Sequence, residues 1–280
     1  MSTQISATDV RTLRDRTNLP MMECKKALTE ANGDMEKAVE LIRIRFKGVG
    51  DKLGGRETGE GRIGVHIEGN VGAIVDMRCE TAPTARNEEF GKLAADLAKH
   101  VAAKNPATVE EMLAQPLAGN PKLTVTERIT EVIGLIRENM KLARFARLTG
   151  TLGSYVHHDG TLGVLFAAKG TASDPQVLRD VCMHIAAAVP TPVAARREDV
   201  PAELIAKETE IARAKAAATG KPANIVQMIA EGQMKTWYAE HVLVEQPFVR
   251  DDSKKVGEVL KAAGLEADKF VRYKVGEATA

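Results

Sequence analysis

The stretch RIGVHIEGNVGAIVDMRC, residues 62–79, determines the class of fold. Apolar side chains stand at every second position, at Ile63, Val65 and Ile67, which is the period of a half-buried β-strand. The Gly-Asn dipeptide at 69–70 is typical of a tight turn, and a second apolar run follows it. The stretch is therefore predicted to form a β-hairpin.

A helix is predicted directly after the hairpin. Between them lies a short connection that contains a proline, CETAPTARN, residues 79–87. Apolar side chains then recur on one helical face until the chain reaches Pro106: Phe90, Leu93, Ala94, Leu97 and Val101. This part of the chain is predicted to be strand, strand, helix.

The same order of elements recurs later in the chain. Predicted strands over 142–156 and 161–169 flank a His-Asp-Gly turn, and a helix is predicted after Asp174. Two pairs of tetrapeptides match between the copies: GNVG at 69–72 with GTLG at 160–163, and HVAA at 100–103 with HIAA at 184–187. We infer an internal duplication that builds two small antiparallel sheets in an α+β fold.

Capping and turn signals divide the rest of the chain. Pro20 and Asp34 suit helix starts, seven glycines fall within residues 48–64, and an alanine-rich helical region is broken at 220–222. The predicted domains are a three-helix module over 1–47, a glycine-rich linker over 48–61, a first core subdomain over 62–141, and a second core subdomain over 142–280 that contains an inserted helical hairpin, the arm, at about 196–235.

Composition excludes several classes of protein. Lysine and arginine number 39 against 38 aspartates and glutamates, and aromatic residues are 4% of the chain, so nucleic acid is not predicted as a partner. No apolar run approaches the ~20 residues that cross a bilayer, and the amino terminus is polar, which predicts a soluble, untargeted protein. The three cysteines have no paired spacing and are predicted to be reduced thiols.

No strong catalytic motif is present, which favours a binding protein without catalytic residues, cofactor or metal. His157 and His158 are adjacent, so on a strand they point to opposite faces and cannot bind one metal ion together. His100 and His184 lie in the repeated helices and are predicted to be hydrogen-bonded near the core, with a small-molecule enzyme that uses them as an alternative. Core packing and docking remain equal alternatives for Met21-Met22.

The run LRDRTNLPMMECKKALTEANGDMEKAVELI resembles the first module of the elongation factor Ts family, the bacterial guanine-nucleotide exchange factors for elongation factor Tu. The resemblance covers nearly the whole chain in order, through VDMRCET, GSYVHHDGTLGVLFAAKG, MHIAAAVPTP, EGQMK and QPFV to VRYKVGE. It implies a cytoplasmic protein with a ubiquitin-associated-like three-helix module, two related core subdomains and a helical hairpin insert.

The resemblance also implies a function. A family member binds elongation factor Tu in its GDP-bound and nucleotide-free states, disturbs the magnesium and phosphate site, and lets GTP replace GDP without covalent chemistry. Magnesium bridges the phosphates in such GTPases, so its disturbance accelerates nucleotide release. Factor and nucleotide must weaken each other's binding by the same ratio. A homodimer formed through the arm is a further expectation.

Individual positions match family contacts with the partner. The residues implied to bind it are Arg14, Met21, Met22, Lys25, Ile136 and His157. At Arg137, beside Ile136, relatives usually have glycine, which makes that contact less secure. Many relatives also continue past the VGE segment into another helical module, so the resemblance implies that some binding surface is absent or supplied elsewhere.

The segment after CET departs from the family pattern. Relatives have Asp-Phe there, and the phenylalanine enters an apolar pocket of the GTPase while the aspartate helps to displace the magnesium-binding region. This sequence has Ala82 and Pro83 instead, and a buried phenylalanine contributes roughly 1.5 to 3 kcal/mol. We expect Thr81 to Thr84 to be the magnesium-dislocation loop, acting as an Ala-Pro wedge. The alternatives are a plain helix-entry loop, or a chaperone or binding subunit for elongation factor Tu with weakened exchange activity.

Overall fold

The computed structural model describes residues 5–17 and 19–277. The amino-terminal part is the three-helix module, formed by α1 (Ala7–Thr17), α2 (Met21–Glu30) and α3 (Met35–Leu53). Ser6 accepts a hydrogen bond from the Asp9 amide at 3.0 Å, and Asp34 caps α3 by accepting from the Lys37 amide at 3.0 Å. None of the helices in the described ranges is both long and apolar enough to cross a membrane.

Helix α3 is longer than the sequence predicts. The glycine-rich linker was expected to start at residue 48, whereas the helix continues through Gly48 and Gly50. Val49 packs against the core of the first sheet and Leu53 is buried in it, so tertiary burial outweighs the low helix propensity of glycine. The connection between module and sheet is therefore confined to residues 54–59.

The first body of the chain is built on a sheet with the strand order β1-β2-β5. Its strands are β1 (Glu60–Glu68), β2 (Val71–Cys79) and β5 (Met140–Thr149). The predicted hairpin is confirmed, with Glu68 opposite Val71. Between β2 and β5 lie α4 (Ala82–Ala85), α5 (Glu88–Lys104), α6 (Val109–Ala114), β3 (Pro116–Leu117), β4 (Asn120–Thr124) and α7 (Val125–Ile136).

The second body repeats this arrangement with the strand order β6-β7-β10. Its sheet consists of β6 (Thr151–Val156), β7 (Leu162–Gly170) and β10 (Leu265–Lys274). Between β7 and β10 lie α8 (Gln176–Ala187), α9 (Ala202–Ala217), α10 (Ala223–His241), β8 (Pro247–Phe248), β9 (Asp251–Lys255) and α11 (Val256–Ala262). Each body thus contains a hairpin, a helix, a second short hairpin, a second helix and a third strand, so the duplication extends beyond the predicted strand-strand-helix unit.

The predicted strand over 142–156 is two strands that belong to different sheets. Gly150, at φ 132°, separates β5, which pairs with β2, from β6, which pairs with β7. Glycine alone reaches this backbone region without strain. The predicted boundary at 141/142 therefore falls inside β5, and the change of sheet occurs at Gly150.

The two sheets pack face to face, and the repeated helices cover their outer faces. Ile63 and Ile74 of the first sheet meet Leu165 of the second in a buried apolar layer. Helix α5 packs on β1 and β2, and α8 packs on β6 and β7. A methyl group at Gly64 would lie 2.5 Å from the Ala94 carbonyl oxygen, and one at Gly153 would lie 2.6 Å from the Leu178 side chain. Glycines at equivalent positions therefore let each helix pack closely on its sheet.

A buried ion-pair network joins the two bodies. The Asp76 carboxylate is fully buried and accepts hydrogen bonds from Arg78 at 2.6 and 2.8 Å and from Arg144 at 3.1 Å. Arg144 also lies over the Tyr273 ring at 4.3 Å and donates to the Lys274 carbonyl at 3.1 Å. Strands β2 and β5 are thereby tied to β10 of the other sheet.

The arm is formed by α9 and α10, so it spans 202–241 and ends later than the predicted range. Its two ends lie side by side at the body. Val193 donates to the His241 carbonyl at 2.9 Å, and Leu243 donates to the Ala194 carbonyl at 3.0 Å. Small side chains pack between the helices at Ala212, Ala216 and Ala230, which fits the alanine-rich sequence.

Candidate functional site

Residues 81–84 form a short turn, which we call the 81–84 turn. Thr81 is extended and begins the one-turn helix α4, in which Pro83 occupies an early position that suits its fixed φ. Thr84 is buried, whereas Thr81 and Pro83 are exposed and Ala82 is half-buried. The predicted connection is therefore a helical turn that presents Ala82 and Pro83 at the surface.

The turn is held by the connection between α7 and β5. The Glu138 carboxylate accepts hydrogen bonds from the Thr81 amide at 3.1 Å and from the Thr81 hydroxyl at 2.7 Å. In the opposite direction, the Glu80 carboxylate accepts from the Asn139 amide at 2.6 Å. We call these the crossed carboxylate pairs. Sequence reasoning missed them because the partners lie 57 and 59 residues apart and no local pattern marks them.

The end of the three-helix module is tied to the same point. Asn139 is buried, and its side-chain Nδ2 donates hydrogen bonds to the carbonyls of Gly54 and Arg56, at 3.3 and 2.7 Å. The Arg56 guanidinium lies 3.3 Å from the Glu80 carboxylate. The short connection after α3, the 81–84 turn and the start of β5 thus meet in one network.

Ile136 lies beside this network, as the last residue of α7. Its side chain is half-buried and packs against the core of the first sheet. Arg137 then ends the helix in the left-handed conformation, at φ 66°. Glycine is the usual residue for such a helix end, which gives a backbone reason for the glycine that the resemblance implies at this position. The 81–84 turn is tied to Glu138, two residues after Ile136.

The predicted contacts on the three-helix module form an exposed face of α1 and α2. Met21 and Met22 are 43% and 74% exposed, so they do not belong to the core. Lys25, one turn after Met21, is exposed, and so is Arg14, which pairs with Asp15 at 3.2 Å. The opposite face of α2 buries Cys24, Ala27 and Leu28. Exposed thioethers form an adaptable apolar surface, which favours docking over packing at Met21-Met22.

The three-helix module is locked onto the first body by an aromatic ring. The Phe46 side chain of α3 is buried against Gly134 of α7, where a methyl group would lie only 2.1 Å from the ring. Leu135 of α7 also packs against the core of the module. The three-helix module therefore packs on α7, and the 81–84 turn is held by the connection that directly follows this helix.

His157 lies apart, in the turn between β6 and β7. Its side chain is half-buried, and its Nδ1 lies 2.8 Å from the Tyr155 hydroxyl. The prediction that His157 and His158 point to opposite faces is wrong, because both follow the end of β6 and their rings lie 4.3 Å apart. In the part of the chain that the structure describes, no cluster of three histidine, cysteine, aspartate or glutamate side chains is placed to hold a metal ion.

His100 and His184 occupy equivalent buried positions. The Nδ1 atom of His100 accepts from the Ala118 amide at 3.0 Å, so Nε2 carries the proton and donates to Gln115 at 2.9 Å. His184 makes the same bonds to the Val249 amide and to Gln246. Burial lowers the pKa of both imidazoles. Both ring nitrogens of each histidine are occupied, which leaves the enzyme alternative without a proton-transfer group there.

The cysteines are free and buried. Burial raises the pKa of the Cys79 thiol to about 12 and also raises the pKa of Cys24 and Cys182. These thiols are inert at neutral pH because the thiolate is the reactive form.

Comparison with known proteins gives a consistent result. The family model "Elongation factor TS" matches residues 80–277. The chain is 45% identical to elongation factor Ts of Ralstonia nicotianae over 275 residues, which cover 98% of this chain and 91% of that protein. It is 42% identical to elongation factor Ts of Aquifex aeolicus over 290 residues, covering 99% of both chains. It is also 42% identical to elongation factor Ts of Burkholderia multivorans, over 98% of this chain.

Proposed function

Because the chain belongs to the elongation factor Ts family, and is thus a nucleotide exchange factor for elongation factor Tu, we propose that the 81–84 turn expels GDP from that partner. The factor performs no covalent chemistry. The observation that carries the proposal is a surface turn, with Pro83 exposed and Ala82 half-buried, that Glu138 holds in place two residues after Ile136. Docking energy gained elsewhere is used to push this turn against the magnesium and phosphate site.

Docking energy comes from the exposed face of the three-helix module. Met21, Met22 and Lys25 offer two apolar thioethers and a cation on one helix, and exposed Arg14 of α1 adds a second cation. Ile136 and His157 are the proposed contacts on the two bodies. Complexes that combine buried apolar anchors with peripheral charges gain affinity mainly from the anchors, so we assign the larger share of affinity to the methionines.

Proline is the key residue of the turn. Pro83 fixes φ and removes a backbone donor, so the turn loses little conformational entropy when it enters a partner. This stiffness partly compensates for the phenylalanine that relatives carry in this segment. Elongation takes place in the cytoplasm, where we place the protein. A homodimer through the arm remains a proposal, which exposed Met228 on α10 supports.

The test is stopped-flow release of a fluorescent GDP from the cognate elongation factor Tu at saturating magnesium. Wild-type chain is expected to accelerate release, and Pro83→Gly is expected to slow the maximal rate while binding persists. Glycine at exposed position 249, Val249→Gly, is a control remote from the turn. An unchanged release rate for Pro83→Gly would show that the turn is not the active element.

The turn has no large apolar side chain, and this favours a second candidate, a binding or chaperone subunit for elongation factor Tu with weakened exchange activity. Co-purification with the partner together with release no faster than the spontaneous rate would select this function.

A further inference from the structure

We propose that Glu80 and Glu138 are positioning residues for nucleotide exchange. Their crossed carboxylate pairs join the 81–84 turn and the 137–139 connection into one rigid block. When a partner docks against Ile136, it also presses on Ala82 and Pro83, and the turn keeps its conformation under that contact. This inference rests on the proposed use of the 81–84 turn in exchange.

The block is rigid because its two carboxylate–amide hydrogen bonds run in opposite directions between the two segments. Each segment supplies one carboxylate and one backbone amide, and each carboxylate accepts from the amide of the other segment. One such bond would leave the two segments free to rotate about it. Two bonds in opposite directions fix both their separation and their orientation.

The hydrogen bonds of the crossed carboxylate pairs are strong. Hydrogen bonds from amides to an ionised carboxylate are shorter and stronger than neutral ones. Glu138 binds both the amide and the hydroxyl of Thr81, and the 2.6 Å bond from Asn139 to Glu80 is short. The Glu80 side chain is only 18% exposed and faces Arg56, which balances its charge. Water competes poorly for a partly buried pair of this type.

The turn needs such support because it is too short to be rigid alone. A single helical turn does not persist in water without tertiary contacts, since nucleation is unfavourable. Thr84 and Ala85 anchor its carboxyl end in the core, whereas its amino end is exposed and is held by Glu138. The side chain of Glu138 is therefore the support nearest to Ala82 and Pro83.

The test uses the full chain with Glu138→Ala and follows three quantities. Hydrogen exchange of the Thr81 amide should become faster. The maximal rate of GDP release from elongation factor Tu should fall at least about tenfold, because one hydrogen bond to a charged group already corresponds to that factor and Glu138 accepts two. The factor concentration at half-maximal rate should stay unchanged, because Glu138 is not part of the docking face.

Matched variants separate positioning from general stability. Glu258→Ala removes a carboxylate that accepts the Lys255 amide at 2.8 Å in the second body, far from the turn, and should leave the release rate unchanged. Glu138→Gln keeps a carbonyl oxygen for the Thr81 amide and should recover part of the rate. Pro83→Gly combined with Glu138→Ala should be no slower than the slower single variant, because both act through the same turn.

The outcomes distinguish this inference from the proposed function. If Pro83→Gly slows release while Glu138→Ala does not, although the Thr81 amide exchanges faster, the positioning role is refuted and the function of the turn stands. An unchanged Thr81 amide, or an equal loss of rate in Glu258→Ala, also refutes the positioning role. If Pro83→Gly itself has no effect, the proposed function of the turn fails first.

Discussion

The replacement Gly134→Ala is expected to destabilise the protein, although the same replacement in most helices does the opposite. Gly134 lies inside α7, directly under the Phe46 ring of α3. A methyl carbon added there would lie 2.1 to 2.7 Å from three ring atoms, whereas carbon atoms in contact prefer about 3.5–4.0 Å. Either the ring leaves its site or the three-helix module shifts away from α7.

The sign of the effect follows from two opposing contributions. Alanine in place of glycine inside a helix ordinarily stabilises by about 0.5–1 kcal/mol. Overpacking a filled core costs about 1–3 kcal/mol, and expelling a buried phenylalanine costs a similar amount in lost burial. We therefore expect the free energy of unfolding to fall by about 1–2 kcal/mol.

A double-mutant cycle in guanidinium unfolding, followed by circular dichroism, measures the contact. In a Phe46→Ala background the added methyl group meets no ring, so Gly134→Ala should stabilise by about 0.5–1 kcal/mol. The sign of the Gly134→Ala effect should thus reverse between the two backgrounds. Stabilisation of the wild-type chain by Gly134→Ala would refute the packing of the Phe46 ring against Gly134.

Three further expectations concern single groups. Arg137→Gly should raise the free energy of unfolding by about 1 kcal/mol in the same unfolding assay, because it removes a left-handed arginine; no gain would contradict the left-handed helix end. The lowered pKa of His100 and His184 means that below about pH 6.5 the unfolded chain binds more protons than the folded chain, so stability is full above that pH and falls as the pH drops below it. Glutamine at either position should flatten this slope in unfolding measured from pH 7 to 5, and an unchanged slope would contradict the buried neutral imidazoles. Asp76→Asn should cost about 3–5 kcal/mol, because it leaves the buried Arg78 guanidinium without its carboxylate, and a loss as small as that of a surface substitution would contradict the network.

Local patterns predicted most of the elements. The alternation at Ile63, Val65 and Ile67 and the turn at 69–70 gave the first hairpin because one face of β1 packs against the other sheet. Asp34, which suits a helix start, caps α3 by accepting a hydrogen bond from the Lys37 amide. These signals are local, so they can be read without knowledge of the fold.

The misplaced boundaries depended on tertiary contacts. Residues 142–156 carry one continuous strand pattern, and only the pairing partners show that it is divided at Gly150. Gly48 and Gly50 resemble a linker, yet Val49 and Leu53 find a core to pack against and the helix continues. In both places the deciding partner lies in another part of the chain.

The resemblance predicted residues for the candidate site, but it did not predict the hydrogen bonds that hold the 81–84 turn. The exposure of Met21 and Met22 agrees with a docking role, which remains a proposal. Glu80, Glu138 and Asn139 carry no signal in a single sequence, because their bonds join positions more than fifty residues apart. The repeated Gln-Pro dipeptides at 115–116 and 246–247 were an available signal for the histidine partners and for the longer repeat.

The way the arm leaves the second body has an evolutionary consequence. The histidine and glutamine that bond to each other are 15 residues apart in the first copy and 62 apart in the second, and the arm accounts for most of the difference. Since its two ends are already adjacent and pinned by backbone bonds, an ancestral gene could acquire, lengthen or shorten this hairpin in a single step without disturbing the duplicated scaffold. Arm length should accordingly diverge among descendants faster than the scaffold that carries it.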